Sequence, residues 1–110
     1  MPRKGVEVYY YPNREIRSFL MAVNIFPPRV EHFRRPLGND REHMLRDTGV
    51  LQRQAMIGLL KIPGIRQITI KPREVRITKE ASGSWETIER QVIEVLERAL
   101  RKKDIRVLEK

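Results

Sequence analysis

The chain contains no cysteine. That excludes a disulfide framework, a cysteine nucleophile, and any iron–sulfur or zinc site ligated by this chain's own thiolates. Only three aspartates and two histidines are present, and His32 and His43 stand eleven residues apart. Paired-carboxylate chemistry and a histidine metal pair therefore have little to draw on. The six glycines are scattered and build no phosphate-cradling loop. Ser18, Ser82 and Ser84 sit in no nucleophile elbow. No catalytic residue, metal ligand or cofactor is assigned, and the expectation is a protein that is not an enzyme. The longest apolar run, Phe19 to Val23, has five residues, far short of the ~20 needed to span a bilayer. Met1-Pro2-Arg3-Lys4-Gly5 is basic, but no apolar segment follows it. The expectation is a soluble, cytoplasmic protein with no membrane partner.

What is present points to a single domain over residues 1–110. Hydrophobic residues make up 40% of the chain, and three Phe, three Tyr and one Trp are enough to anchor a small core. Twenty-three Lys and Arg oppose fourteen Asp and Glu, for a net charge of +9, and sixteen of the basic residues are Arg. The excess is spread evenly along the chain, with no run of five like charges that would read as an arm. It reads either as a solvated surface or as a functional basic face, since such a field attracts nucleic acid, acidic proteins or anionic membranes.

The pattern of residues predicts the elements. Val6 to Tyr11 is β-branched and aromatic and stops at Pro12-Asn13; Ile16 to Val23 resumes an extended apolar pattern, so the two form a hairpin. Val30 to Phe33 alternates like a short strand, which the flanking prolines confine to an edge or a loop. Asp40 is positioned to cap a helical turn over 41–46. Leu51, Ala55 and Leu59 then recur at i, i+4, i+8 with Met56 and Leu60 beside them, an amphipathic helix ending at Pro63-Gly64. Ile65 to Ile70 and Val75 to Thr78 alternate around a turn over 71–74, giving a second hairpin. Ser84 caps a last helix whose stripe is Trp85, Ile88, Val92, Val95, Leu96 and Ala99; residues 104–110 either extend it or fray. The expected fold is α+β: a two-layer sandwich, mainly antiparallel sheet, with two helices over one face and the other face open.

The open hairpin surface is the candidate partner-binding site. Strand alternation sends Tyr9 and Tyr11 to one face and Tyr10 to the other, with Arg14 and Arg17 close behind. Exposed Tyr beside Arg either stacks nucleic-acid bases or forms a protein-binding hot spot; the alternative is that one or two of the tyrosines pack the core. Arg66, Arg73 and Arg76 on the second hairpin extend the set.

The second half resembles the N-terminal domain of the Nfu (NifU-related) iron–sulfur scaffold proteins. The resemblance is carried by Leu59-Leu60-Lys61-Ile62-Pro63-Gly64-Ile65, by Ile68-Thr69-Ile70, by Val75-Arg76-Ile77-Thr78-Lys79, and by Ser84-Trp85 opening the last helix. In the first half, Tyr11-Pro12-Asn13 and Arg17-Ser18-Phe19 stand near the family's Pro-Asn turn and its basic–aromatic strand. In the family the cluster sits on a separate C-terminal domain with a Cys-x-x-Cys motif, which this cysteine-free sequence does not contain. The resemblance thus implies a stand-alone accessory domain: a non-enzymatic adaptor of iron–sulfur cluster assembly that binds other proteins, those of assembly or their clients. The other expectation is a basic nucleic-acid-binding module.

Overall fold

The structure is a computed structural model that describes residues 5–34 and 49–108, with side chains left out at Val50, Leu51 and 102–108. The expected turn over 41–46 and His43 lie outside the described residues.

Val6–Tyr10 (β1) and Ile16–Met21 (β2) pair antiparallel, Val6 opposite Met21 and Tyr10 opposite Arg17. Asn13 organises the turn between them. Its carbonyl accepts from the Ile16 N–H at 3.1 Å, and its side-chain oxygen accepts from the Glu15 N–H at 2.9 Å. β2 stops two residues before Val23, because the chain bends across the sheet end. The Met21 N–H donates to the Arg73 carbonyl, and the Ile25 and Phe26 N–H groups both donate to the Pro72 carbonyl. The bend buries Ile25 and Phe26.

Glu31–Arg34 (β3) is an edge strand, as the prolines before it require, and it pairs with Ile65–Lys71 (β4). β4 turns through Pro72 and Arg73 into Glu74–Lys79 (β5), with a bulge between Ile65 and Gln67. β5 also pairs with β2, which joins the two hairpins into one antiparallel sheet of order β1-β2-β5-β4-β3.

Val50–Leu60 (α1) and Trp85–Leu108 (α2) lie over one face of that sheet. α1 buries Ala55, Met56, Leu59 and Leu60, and α2 buries Ile88, Val92, Ile93, Leu96 and Ala99. The sheet answers with Phe19, Ile68, Ile70, Val75 and Ile77, all fully or almost fully buried. The two helices come close at Gly58, where a Cβ would stand 3.3 Å from both methyls of Val95. α1 ends where the sequence places its stop: Gly64 takes φ +84°, a left-handed conformation that glycine adopts without steric cost. The Ser84 carbonyl accepts the N–H of Ile88, and Glu86 stands in the first turn of α2, where the helix dipole favours an anion. α2 runs past Lys102 to Leu108, so residues 104–108 extend the helix.

Candidate interaction surface

Among the described residues the sheet is covered on one side only, and the register assigns each side chain to a side. Directly opposite residues of an antiparallel pair share a face. Tyr10, Arg17, Ile77, Ile68 and Phe33 are successive cross-strand neighbours, and they lie on the helix side. The adjacent row is Tyr9, Ser18, Arg76, Thr69 and His32, one residue from each of the five strands, and it lies on the open side. Four inter-strand steps of ~4.8 Å make this row about 19 Å wide.

Its β1–β2–β5 end is a bonded cluster. The Tyr9 and Tyr11 rings meet edge to face with centroids 4.9 Å apart. The Tyr11 hydroxyl lies 2.9 Å from the Ser18 hydroxyl, and Ser18 donates to Glu74 Oε2 at 2.8 Å. The same carboxylate oxygen accepts from Arg76 Nη2 at 3.3 Å, and the Arg76 guanidinium stands 5.7 Å from the Tyr11 ring centroid. Lys71 Nζ reaches the other Glu74 oxygen at 3.9 Å. Tyr9 remains 53% exposed, whereas Ser18 is buried beneath the cluster. An aromatic pair, a cation and a carboxylate are thus held in one geometry on a face that no described element covers. Such a preorganised patch loses little side-chain freedom when a partner covers it. At the other end of the row, His32 Nδ1 and Thr69 Oγ1 are 3.0 Å apart, which fixes the imidazole on β3.

The structure divides the set expected from the sequence. Tyr9, Tyr11 and Arg76 come together as described. Arg17 does not join them. It stands opposite Tyr10 and Ile77, so the pleat turns it to the helix side, where its guanidinium lies between the Tyr10 ring at 4.6 Å and the Trp85 ring at 4.7 Å. Arg14 is exposed in the β1–β2 turn, and its carbonyl accepts the Trp85 indole N–H at 2.6 Å. Arg66 sits at the β4 bulge at that same end of the sheet, with Nη2 3.8 Å from Glu15. Arg73 is at the opposite end, in the β4–β5 turn, beside an open hollow of about 570 Å³ bordered by Leu20, Asn24, Lys71 and Glu74.

Ser18, Glu74, Thr69 and His32 also belong to the face, although the sequence pattern does not assign any of them to a binding surface. For Glu74 the signal was present, since it shares a β5 face with Arg76 two residues on. His32 needed the register of β3. Among the described residues no group of three or more His, Asp or Glu is placed to hold a metal ion. No described helix is long and apolar enough to cross a membrane.

Comparison with known proteins bears on this arrangement. The sequence profile of the family described as "Scaffold protein Nfu/NifU N terminal" matches residues 6–103. No curated protein matches the sequence. Among solved structures, a NifU-like protein from Saccharomyces cerevisiae is similar at a TM-score of 0.62 and 19% identity, over 88% of this chain and 78% of the yeast chain. A protein from Staphylococcus aureus is similar at a TM-score of 0.56 and 14% identity, over 83% of this chain and 96% of that one. At these identities the two structures speak for the fold: the sheet and its two helices.

Proposed function

The chain belongs to the Nfu/NifU N-terminal family, and from that premise we propose that it is a cytoplasmic, non-enzymatic adaptor of iron–sulfur cluster assembly that binds partner proteins through the open face of its sheet. The observation that carries this reading is the cluster of Tyr9, Tyr11 and Arg76 on a face that no element of the described chain covers. Tyr and Arg are the residue types that dominate protein-binding hot spots, and here they are locked in place by Ser18 and Glu74. The cluster itself is cargo in this scheme. With no cysteine in the chain, the residues present do not suit a cluster, and the adaptor acts by recognition.

The test is capture. Immobilised chain is incubated with purified iron–sulfur assembly proteins from the same source, one at a time, beside the Tyr9→Ala/Arg76→Ala double variant. The expected result is retention of at least one of them by the natural sequence and its loss in the variant. Retention by both alike overturns the assignment of the face. Retention by neither, together with tight binding to a nucleic-acid duplex, overturns the function.

A further inference from the structure

We infer that the outer edge of β1 is a docking site for an extended, acidic segment of a partner protein, which adds there as a sixth antiparallel strand. The inference rests on the protein-binding reading above and names the mode and the chemistry of that binding.

The first observation is the open edge. Among the described residues β1 is terminal in the sheet order and pairs only with β2. Which of its main-chain groups face outward follows from two hydrogen bonds. The Ala22 N–H donates back to the Gly5 carbonyl, while the Met21 N–H turns the other way, to the Arg73 carbonyl. Antiparallel ladders alternate, so Gly5, Glu7 and Tyr9 spend their N–H and C=O groups on β2, and Val6, Val8 and Tyr10 point theirs outward. Val6 is only 2% exposed, so the accessible template is the N–H and C=O groups of Val8 and Tyr10, two donors and two acceptors in register for an added strand.

The second observation is that, among the described residues, the Val8–Tyr10 part of this edge lacks the usual protection. Sheet edges are commonly blunted by proline, bulges or inserted cations. β3, at the other edge, follows Pro27-Pro28, carries the Arg29–Glu31 ion pair and ends in Arg34. β1 has no proline, no cation and no bulge between Val6 and Tyr10. Its C-terminal half is accessible from both sides: Tyr9 is 53% exposed on the open face and Tyr10 is 59% exposed on the helix side. An added strand would therefore lay alternate side chains against one tyrosine on each face.

The third observation is charge, which selects the occupant. A second copy of this chain would bring another +9 to the same edge, and like charge opposes that pairing. Arg14 follows β1 in the turn. It is exposed, and its side chain has no hydrogen bond or ion pair among the described residues. Arg17 lies behind the Tyr10 ring. The single acidic side chain of the strand, Glu7, is three residues from Tyr10, about 10 Å along the strand. The Tyr10 end thus favours carboxylates on the incoming segment.

The experiment uses amide exchange and chemical shifts of the full chain with a capped octapeptide alternating glutamate and valine, beside the same peptide with lysine for glutamate. The expected result is slowing of the Val8 and Tyr10 amides by roughly tenfold or more in the complex, with the lysine peptide binding at least about tenfold more weakly. Proline is tolerated on an edge where its nitrogen faces solvent, so Tyr10→Pro should fold and lose binding, while Tyr10→Ala keeps it within about threefold. Absence of binding at millimolar peptide, equal binding of the lysine peptide, or equal binding by Tyr10→Pro and Tyr10→Ala overturns the inference. Sedimentation showing β1-dependent dimers of the free chain would do the same. Protection confined to Tyr11, Arg76 and Thr69 would also overturn the edge, yet leave the face assignment standing; that assignment fails separately, in the Tyr9→Ala/Arg76→Ala capture.

Discussion

Arg17 on β2 and Glu89 on α2 are joined by an ion pair of 2.7 Å between residues 72 apart in sequence. The pair ties the first hairpin to the last helix. It is partly withdrawn from water, with side-chain exposures of 24% and 15%, and the guanidinium lies between Tyr10 and Trp85. Stacking on two aromatic faces adds to the charge contact, and lysine cannot reproduce the planar fork.

Arg17 is accordingly expected to matter for stability. Arg17→Ala should cost about 1–2 kcal/mol, and Arg17→Lys should recover less than half of that. Denaturant titration measures both. A double-mutant cycle with Glu89→Ala should show coupling of about 0.5–1 kcal/mol, and additivity would show that the contact contributes nothing.

Trp85 is the only tryptophan, so its fluorescence reports on this junction. It is partly buried against the core and donates its indole N–H to the Arg14 carbonyl. Trp85→Phe keeps most of the packing and should cost about 1 kcal/mol for the lost hydrogen bond. Trp85→Ala should cost roughly 3 kcal/mol. Equal effects would mean that the hydrogen bond, and not the ring, holds α2 to the β1–β2 turn.

Gly64 tests the backbone. At φ +84°, and with an added Cβ 3.2 Å from Ile88 Cδ1 and 3.4 Å from Gly83 Cα, Gly64→Ala should destabilise by about 1–2 kcal/mol. Gly58→Ala differs. Helix propensity favours alanine by about 1 kcal/mol, but Val95 is β-branched and stiff at its 3.3 Å contact, so the net change should lie within about 1 kcal/mol of zero. Thermal midpoints of the two variants check the contrast.

The order of elements and their faces were legible because each strand alternates and each helix carries a stripe. Ile68 and Ile70, or Val92 and Leu96, declare a buried side without help from the rest of the chain. The placement of Arg17 was not legible in that way. Proximity to Tyr9 and Tyr11 in sequence suggested a shared surface, but the face of Arg17 depends on its partner across the turn. The Asn13 turn sets Tyr10, not Tyr9, opposite Arg17. A one-residue change of register would have moved it to the open side. His32 joined the face for a similar reason, since only the β3–β4 pairing reveals it.

Metal retention gives a further check. Without a thiolate in the chain, protein dialysed against chelator should retain well under about 0.1 equivalent of iron or zinc by elemental analysis. Retention near one equivalent would point to ligands among the histidines and carboxylates.

The net charge of +9 invites a nucleic-acid test, and the ion pairs say what to expect of it. Arg17, Arg29, Arg66, Lys71, Arg76 and Arg98 each face a glutamate within ion-pair distance. Those cations are shared with fixed carboxylates, so a phosphate backbone would have to compete for them. The remaining exposed arginines of the candidate set, Arg14 and Arg73, stand at opposite ends of the sheet. A protein that engages one or two phosphates loses no more than about tenfold in affinity between ~50 and ~200 mM salt, whereas five or six phosphates give roughly a thousandfold loss. Titration with a short duplex should therefore show weak binding and the shallow dependence. A thousandfold fall, contributed about equally by many Arg and Lys positions, would move the function from protein recognition to nucleic-acid binding. The adaptor makes the opposite demand. Its affinity should drop by about 2 kcal/mol or more on loss of Tyr9 or Arg76 and change little elsewhere, because binding energy concentrates in a few aromatic and arginine anchors while long-range charge chiefly speeds encounter.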